Sequence, residues 1–154
     1  MFIMMKVVKY LKQQGFELAG CDFRNLPHLR LDFSGCNLSG ANFQGALLQG
    51  ANFYNANCTG AIFDGADLRD VNFEQTNIKG ASLVGADLRT ATMDYCCARG
   101  ADFSKANMRS ATLLSGNFRG AIFDHTSLKL CQVSGWCVDG ADFTGVNHRE
   151  YIVD

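Results

Sequence analysis

The sequence predicts an all-β fold in which the chain winds as a parallel β-helix with four sides to each turn and about six to seven coils. The first observation is a five-residue period, clearest in residues 40–68, which neither the 3.6-residue period of an α-helix nor the two-residue period of a strand produces. The second observation is a period of twenty residues, because positions twenty apart carry the same residue type. Four five-residue units therefore make one coil.

The five-residue units, or pentads, run from Leu18 to His148 without an insertion or deletion, which gives 27 pentad centres. Of these centres, 23 are Leu, Phe, Ile, Met or Val. The exceptions are His28, Cys58, Ala98 and His148. The residue two before the centre is usually Ala, as it is throughout residues 40–68. A small and a large apolar residue in every pentad predict a continuous apolar interior.

The pentads follow the pattern A-(D/N)-(L/F)-X-X, and in this the chain resembles the pentapeptide-repeat family over about nine-tenths of its length. The resemblance implies a right-handed quadrilateral parallel β-helix, the pentapeptide-repeat solenoid. It implies no particular function, since one fold serves many functions.

The twenty-residue columns predict how each coil turns and packs. One column of centres is almost entirely phenylalanine: Phe23, Phe43, Phe63, Leu83, Phe103, Phe123 and Phe143. The column three residues before it is glycine throughout: Gly20, Gly40, Gly60, Gly80, Gly100, Gly120 and Gly140. Because glycine accepts positive φ without steric cost, we expect one corner of every coil to turn at this column. The rings should stack inside at the strand spacing of about 4.8 Å.

Residues 1–15 lack the repeat, and we predict a short amphipathic helix there. Lys6, Lys9 and Lys12 share one helical face, and Gly15 suits the end of the helix. We interpret this helix as a cap, because the first coil exposes an edge and an apolar end. Attachment to a membrane surface is the alternative, for which three lysines offer little binding energy. The β-helix itself is predicted over residues 16–149.

Residues 150–154 are predicted to be a C-terminal tail. The tail could fold over the last coil, pair with a second copy in a homodimer, or mark the junction with a longer protein. One column of small residues has its two large members, Phe16 and Trp136, at its ends. We expect Gly116, one coil before Trp136, to leave room for the indole, and Phe118 to refill the volume.

The composition indicates one intracellular domain. The chain has 154 residues, of which 47% are hydrophobic, and no Pro- or Ser-rich linker divides it. A net charge of −1 gives no general attraction to nucleic acid or to a membrane. Four of the seven cysteines take the small position of a pentad: Cys21, Cys36, Cys96 and Cys131. We interpret them as buried, reduced thiols, which favours a cytoplasmic protein.

The sequence shows no catalytic or metal-binding constellation, so we predict no enzyme activity, cofactor, metal or small-molecule substrate. His28 and His148 share a column but lie six coils apart, about 29 Å by strand spacing, and cannot share a metal ion. His125 is expected to face outward alone. The glycines follow the coil period, and no helix follows them to hold a phosphate.

The outward positions carry the candidate binding site. The position after the centre is basic in five consecutive coils: Arg69, Arg89, Arg109, Lys129 and Arg149. We call these residues the cationic stripe. A second column adds Lys79, Arg99 and Arg119. The stripe could be an ordinary solvated surface that keeps strand edges from aggregating, or a docking surface for an acidic partner.

We therefore expect a non-enzymatic scaffold that mediates protein–protein interaction through a flat face of the solenoid. The alternative, implied by the family resemblance, is a DNA-mimicking modulator of DNA gyrase or topoisomerase of the quinolone-resistance type. The rod shape suits this alternative, but a DNA mimic needs a strongly acidic side and this chain has a basic stripe. Nucleic-acid binding by the stripe ranks lower, because no exposed aromatic residues accompany the charges. The chain could also be a repeat domain of a larger protein.

Overall fold

The computed structural model describes residues 17–24, 26 and 30–147, together with the backbone of residues 152–153. Every isolated β-bridge in this part of the chain is parallel and joins residues that are twenty apart. One series of bridges steps through Asp22, Asn42, Ile62, Ser82, Asp102, Ile122 and Asp142. The predicted parallel β-helix, with four pentads to the coil, is therefore confirmed.

Regular secondary structure is short, because each pentad contributes only a single bridge before the chain turns. The strands are β1 (Gln132–Val133) and β2 (Ile152–Val153), which pair in parallel. The described ranges contain no α-helix, and hence none that could span a bilayer. The predicted capping helix over residues 1–15 lies outside the described residues.

Strand β2 shows how the predicted tail is placed. Ile152 pairs with Gln132, and Val153 pairs with Val133. Both partners lie twenty residues earlier, so this part of the tail continues the ladder of its own chain at the spacing of every earlier coil.

Each coil has four faces, which we number in the order in which the chain passes through them. The inward centres of face I include Phe43, Phe63, Leu83, Phe103 and Phe123, and those of face II include Leu48, Leu68, Leu88, Met108 and Leu128. The centres of face III include Phe53, Phe73, Met93, Leu113 and Val133, and those of face IV include Cys58, Ile78, Ala98, Phe118 and Val138. All of these except the half-buried Val138 are buried.

Within a pentad, the backbone bonds to both neighbouring coils and also closes its own turn. The Asn52 amide donates to the Leu31 carbonyl of the previous coil at 2.8 Å, and the Phe53 amide donates to the Asn72 carbonyl of the next coil at 2.8 Å. The Cys36 amide donates to the Phe33 carbonyl at 3.0 Å, as in a β-turn. The polar residue before a centre also bonds nearby backbone: the Asn52 Oδ1 accepts from the Tyr54 amide at 3.0 Å. The centre thus points inward, and the residues on either side of it point outward.

The corners turn through residues with positive φ, and this holds for more corners than we expected. The glycine column has φ near +65°, as at Gly40 and Gly60, which confirms the prediction for that corner. The other three corners adopt the same left-handed conformation, and ten residues there are not glycine, among them Thr90, Tyr95 and Leu130. Glycine is therefore favoured at the corners but is not required, because the hydrogen-bonded coils hold strained residues in place.

The phenylalanine rings stack along the axis as predicted. The ring centroids of Phe43 and Phe63 are 4.9 Å apart with an interplanar angle of 1°. Rings from different faces meet edge to face, as Phe43 and Phe53 do at 5.6 Å and 85°. Both arrangements suit the quadrupole of the aromatic ring, so the aromatic core contributes directional contacts as well as buried area.

Gly116 leaves room for Phe118, which fills the volume as expected. A Cβ atom at Gly116 would lie 2.5 Å from the Phe118 ring. The Trp136 ring centroid is 5.9 Å from that of Phe118, and the tryptophan is half-buried near the end of the described coils. The absent side chain therefore admits the phenylalanine of the same pentad.

All seven cysteines are free, and four of them are buried at the positions Cys36, Cys58, Cys96 and Cys131. Burial raises the pKa of the Cys58 and Cys96 thiols and raises that of Cys131 to about 12. The prediction of buried, reduced thiols is confirmed for Cys36, Cys96 and Cys131, but it is wrong for Cys21, which is only half-buried in the first described coil.

Candidate interaction surface on face II

The cationic stripe lies on face II, where its members are brought into line by the twenty-residue register. Bridges on this face connect Asp67, Asp87, Asn107 and Ser127, which precede the buried centres. The basic residues follow those centres and point outward on the same side of the backbone. Arg69, Arg89, Arg109 and Lys129 therefore form one column, and Arg149 lies outside the described residues.

The first two arginines of the stripe are paired with carboxylates of their own pentads. Arg69 donates to Asp67 through Nε at 2.8 Å and through Nη2 at 2.6 Å. Arg89 donates to Asp87 through the same two atoms at 2.9 Å and 2.7 Å. These bonds raise the pKa of both guanidinium groups. This part of the stripe is electrically compensated.

The next two cations lack such partners, because the residue two before each is neutral. Asn107 precedes Arg109, and its Oδ1 accepts from the Arg109 backbone amide at 3.2 Å. Ser127 stands in the corresponding place before Lys129. Among the described residues, neither Arg109 nor Lys129 has a carboxylate within ion-pair distance. Both side chains are exposed, so the positive charge of face II is concentrated in its second half.

A shallow groove of 360 Å³ follows the corner between faces II and III. Its lining includes the stripe residues Arg69, Arg89 and Arg109 and the corner residues Asp70, Thr90 and Ser110. The Thr90 hydroxyl and the Gln49 amide donate to the Asp70 carboxylate at 2.5 Å and 3.2 Å. These hydrogen bonds lower the pKa of Asp70. The groove is therefore acidic beside Asp70 and basic beside Arg109.

The faces on either side of face II are acidic. The described part of face III contains Asp32, Glu74 and Asp94 and no lysine or arginine. In the described part of face I, five aspartates outnumber Arg24 and Lys105. Face II is thus a narrow cationic strip between two anionic sides.

Face IV, opposite face II, carries the second basic column. Arg119 donates to Asp139 of the next coil at 2.7 Å, and this pair raises the pKa of Arg119 and lowers that of Asp139. Lys79 and Arg99 have no ion pair with any residue that the structure describes. They provide a matched control for Arg109 and Lys129.

His125 is exposed, as predicted, but it is not alone. Its Nδ1 lies 2.6 Å from Oδ1 of Asp124. Across the ranges described, no three His, Cys, Asp or Glu side chains are grouped so that they could hold a metal ion. His28 and His148 lie outside those ranges.

The compensation by Asp67 and Asp87 was not predicted, although the sequence contains a signal for it. Both arginines stand in Asp-Leu-Arg, and Asp22-Phe23-Arg24 makes the same pair, with Arg24 Nη2 2.6 Å from Asp22 Oδ2. An acidic residue two before a basic residue in a pentad solenoid therefore indicates a local ion pair.

Comparison with known proteins supports the fold. The family model for pentapeptide repeats matches in eight copies, over residues 32–70, 66–104, 91–124 and 101–145. A pentapeptide repeat protein from the Arabidopsis thaliana thylakoid lumen is 38% identical with a TM-score of 0.50, and the alignment covers 62% of this chain and 63% of that protein. This chain therefore matches less than two thirds of the length of that relative.

Two further solved structures show weaker similarity. A pentapeptide repeat protein from Nostoc is 27% identical with a TM-score of 0.44, over 60% of this chain and 74% of that one. A plasmid-mediated fluoroquinolone resistance protein is 24% identical with a TM-score of 0.33, over 87% of this chain and 70% of that one. The comparison with curated proteins gave no significant match.

Proposed function

This chain belongs to the pentapeptide repeat family of right-handed quadrilateral β-helices, and we propose that it is a non-enzymatic scaffold that binds an acidic surface of a partner protein through face II. The observation that carries the proposal is the column of four described cations on face II, three of which line one groove, whereas the face IV column has three cations. Two members of the face II column, Arg109 and Lys129, are exposed and have no carboxylate partner among the described residues. By contrast, Arg89 is paired with Asp87 and Arg69 is paired with Asp67 at the equivalent positions one and two coils before Arg109. The β-helix can therefore carry a compensating carboxylate two residues before a cation, but Arg109 and Lys129 have Asn107 and Ser127 in that place.

The physical cost of this arrangement is small. Two like charges one coil apart repel by about 1 kcal/mol in water, which a solenoid bonded along its whole length tolerates. An acidic partner would convert that repulsion into attraction, and complementary charge mainly raises the association rate and selects the partner. The flat face needs no rearrangement to bind.

We propose no catalytic role, because the described centres are apolar and the groove on face II is shallow and open to solvent. We also propose that the protein resides in the cytoplasm. The free cysteines support this location, since reducing compartments keep thiols unpaired.

DNA mimicry remains the alternative function, and charge density argues against it. Duplex DNA carries one charge per about 1.7 Å of axis, so about 29 Å of solenoid should present about 17 negative charges. Face III has three carboxylates over the described coils. We expect no inhibition of gyrase supercoiling and no protection from a quinolone at a large molar excess of this protein. Inhibition that the acidic faces mediate would favour the alternative.

The proposed function is tested by capture of partners with three baits: the wild type, R109E/K129E, and the control K79E/R99E on face IV. We expect a direct protein partner to be retained by the wild type and by the control and lost with R109E/K129E. Circular dichroism should show all three baits folded, since the altered side chains are exposed. A partner retained equally by all three baits would contradict binding through face II.

A further inference from the structure

The spacing of the cationic stripe defines the shape of the element that fits it. Stacked rings measure the coil spacing as 4.9 Å between Phe43 and Phe63 and 5.2 Å between Phe103 and Phe123. Three coil steps separate Arg69 from Lys129, so their attachment points span about 15 Å in a straight line.

We propose that the partner element is an α-helix with acidic residues along one side, lying on face II parallel to the solenoid axis. The inference rests on the proposed function and goes beyond it by naming the element that binds. In a helix with a rise of about 1.5 Å per residue, positions i, i+3, i+7 and i+10 lie on one side at about 0, 4.5, 10.5 and 15 Å. Carboxylates at these positions therefore stay in register with all four described cations of the stripe.

An extended peptide does not keep this register. Side chains on one side of a strand recur at about 6.7 Å, so three steps span about 20 Å, a full coil too long. Only one or two carboxylates of an extended acidic segment could meet the stripe at once.

The width of face II also fits a helix. The extended part of a pentad is three residues, or about 10 Å, which matches the 10–12 Å diameter of an α-helix. The acidic residues of faces I and III would repel a broader polyanion such as duplex DNA. The residues along the middle of the second half, Asn107 and Ser127, are short enough for a helix to approach closely.

The four cations would contribute differently. Arg69 and Arg89 are each held by two hydrogen bonds through Nε and Nη2, so their guanidinium groups are already positioned. Arg109 and Lys129 supply the uncompensated charge. Binding should therefore depend most on the second pair.

The experiment uses labelled alanine-based peptides and the full chain. One helical peptide carries Glu at i, i+3, i+7 and i+10, a second has the same composition with Glu distributed around the helix, and a third alternates Glu with β-branched residues. A duplex oligonucleotide completes the set. Fluorescence anisotropy at low and moderate salt gives each affinity.

We expect the one-sided helix to bind about tenfold more tightly than either other peptide, to lose at least that factor with R109E/K129E, and to change less than about twofold with K79E/R99E. Equal affinity for all three peptides, with loss in R109E/K129E, would overturn the helix inference and leave the acidic-partner function intact. If no acidic peptide bound through face II, both would fail. Tightest binding of the duplex would overturn both in favour of nucleic acid.

Discussion

The first half of the solenoid, residues 31–80, and the second half, residues 101–147, obey the same backbone register but fill it differently. In the first half, rings enter the core from faces I and III, as Phe43 and Phe53 do. In the second half, they enter from faces I and IV, where Phe118 approaches Phe123 at 5.8 Å. The coil between them, residues 81–100, has no aromatic centre.

The surfaces of the two halves also differ, in how the basic residues of face II are compensated. Face II is compensated in the first half through Asp67 and is uncompensated in the second half at Arg109 and Lys129. The bridges stay twenty residues apart throughout. The comparison teaches that the backbone fixes where each side chain points, while a single column decides the chemistry of a face.

The largest effect should come from removing a core ring in either half. Phe53→Ala and Phe118→Ala should each lower the free energy of unfolding by about 3–5 kcal/mol, because both side chains are fully buried and leave a cavity. Urea denaturation measures the change. A cost below 1 kcal/mol for Phe118→Ala would mean that the second half is not held by its ring from face IV.

Gly116→Ala should destabilise the second half by about 1–3 kcal/mol, because the new Cβ would overlap the Phe118 ring. In a Phe118→Leu background the same change should cost little, which a double-mutant cycle measures. Additive effects of the two substitutions would show that they do not share one volume.

Buried thiols should make both halves sensitive to alkaline pH. The pKa of Cys58 in the first half and Cys131 in the second is raised by burial from an ordinary value near 9. The folded state keeps these protons while the unfolded chain loses them, so the stabilising effect is complete below pH 9 and declines above it. The loss is about 1.4 kcal/mol per thiol at pH 10.

Urea denaturation at pH 8 and pH 10 tests this prediction. Cys58→Ala and Cys131→Ala should each reduce the difference in unfolding free energy between the two pH values by the contribution of one thiol, about 1.4 kcal/mol. An unchanged difference in both variants would assign the alkaline loss to other groups.

The smallest change in stability, within about 0.5 kcal/mol, should come from Asn107→Asp, which gives Arg109 the partner that Asp87 gives Arg89. Affinity for the one-sided acidic helix should nevertheless fall severalfold, because one of the two uncompensated cations is neutralised. Asp87→Asn should act in the opposite direction. If both variants bound the peptide like the wild type, pairing with a local carboxylate would not control the affinity of face II for an acidic helix.

Much of this architecture could be predicted from sequence because each pentad repeats one local hydrogen-bonding pattern. The centre positions, the stack of Phe43 and Phe63 and the glycine corner all follow from residue identity at a fixed spacing. The left-handed corners at Tyr95 and Leu130 could not be predicted, since neither residue prefers that conformation. There, the bonds to adjacent coils override local preference.

The candidate surface was predicted only in part. The column of basic residues follows from register, but its net charge depends on side chains two positions away. Asp67 and Arg69 form a pair because both flank a centre on the same outward side. The filling of the volume beside Gly116 was predicted, because Phe118 belongs to the same pentad and lies against that glycine.

Because the register repeats every twenty residues, the length of the solenoid can change in steps of one coil. Deleting residues 81–100 would join Gly80 to Ala101, which occupies the same place in its coil as Ala81. Every remaining bridge would find an equivalent partner, and the rod would shorten by about 4.8 Å. Gene duplication or loss in units of sixty nucleotides can therefore change the reach of such a protein without redesigning a loop.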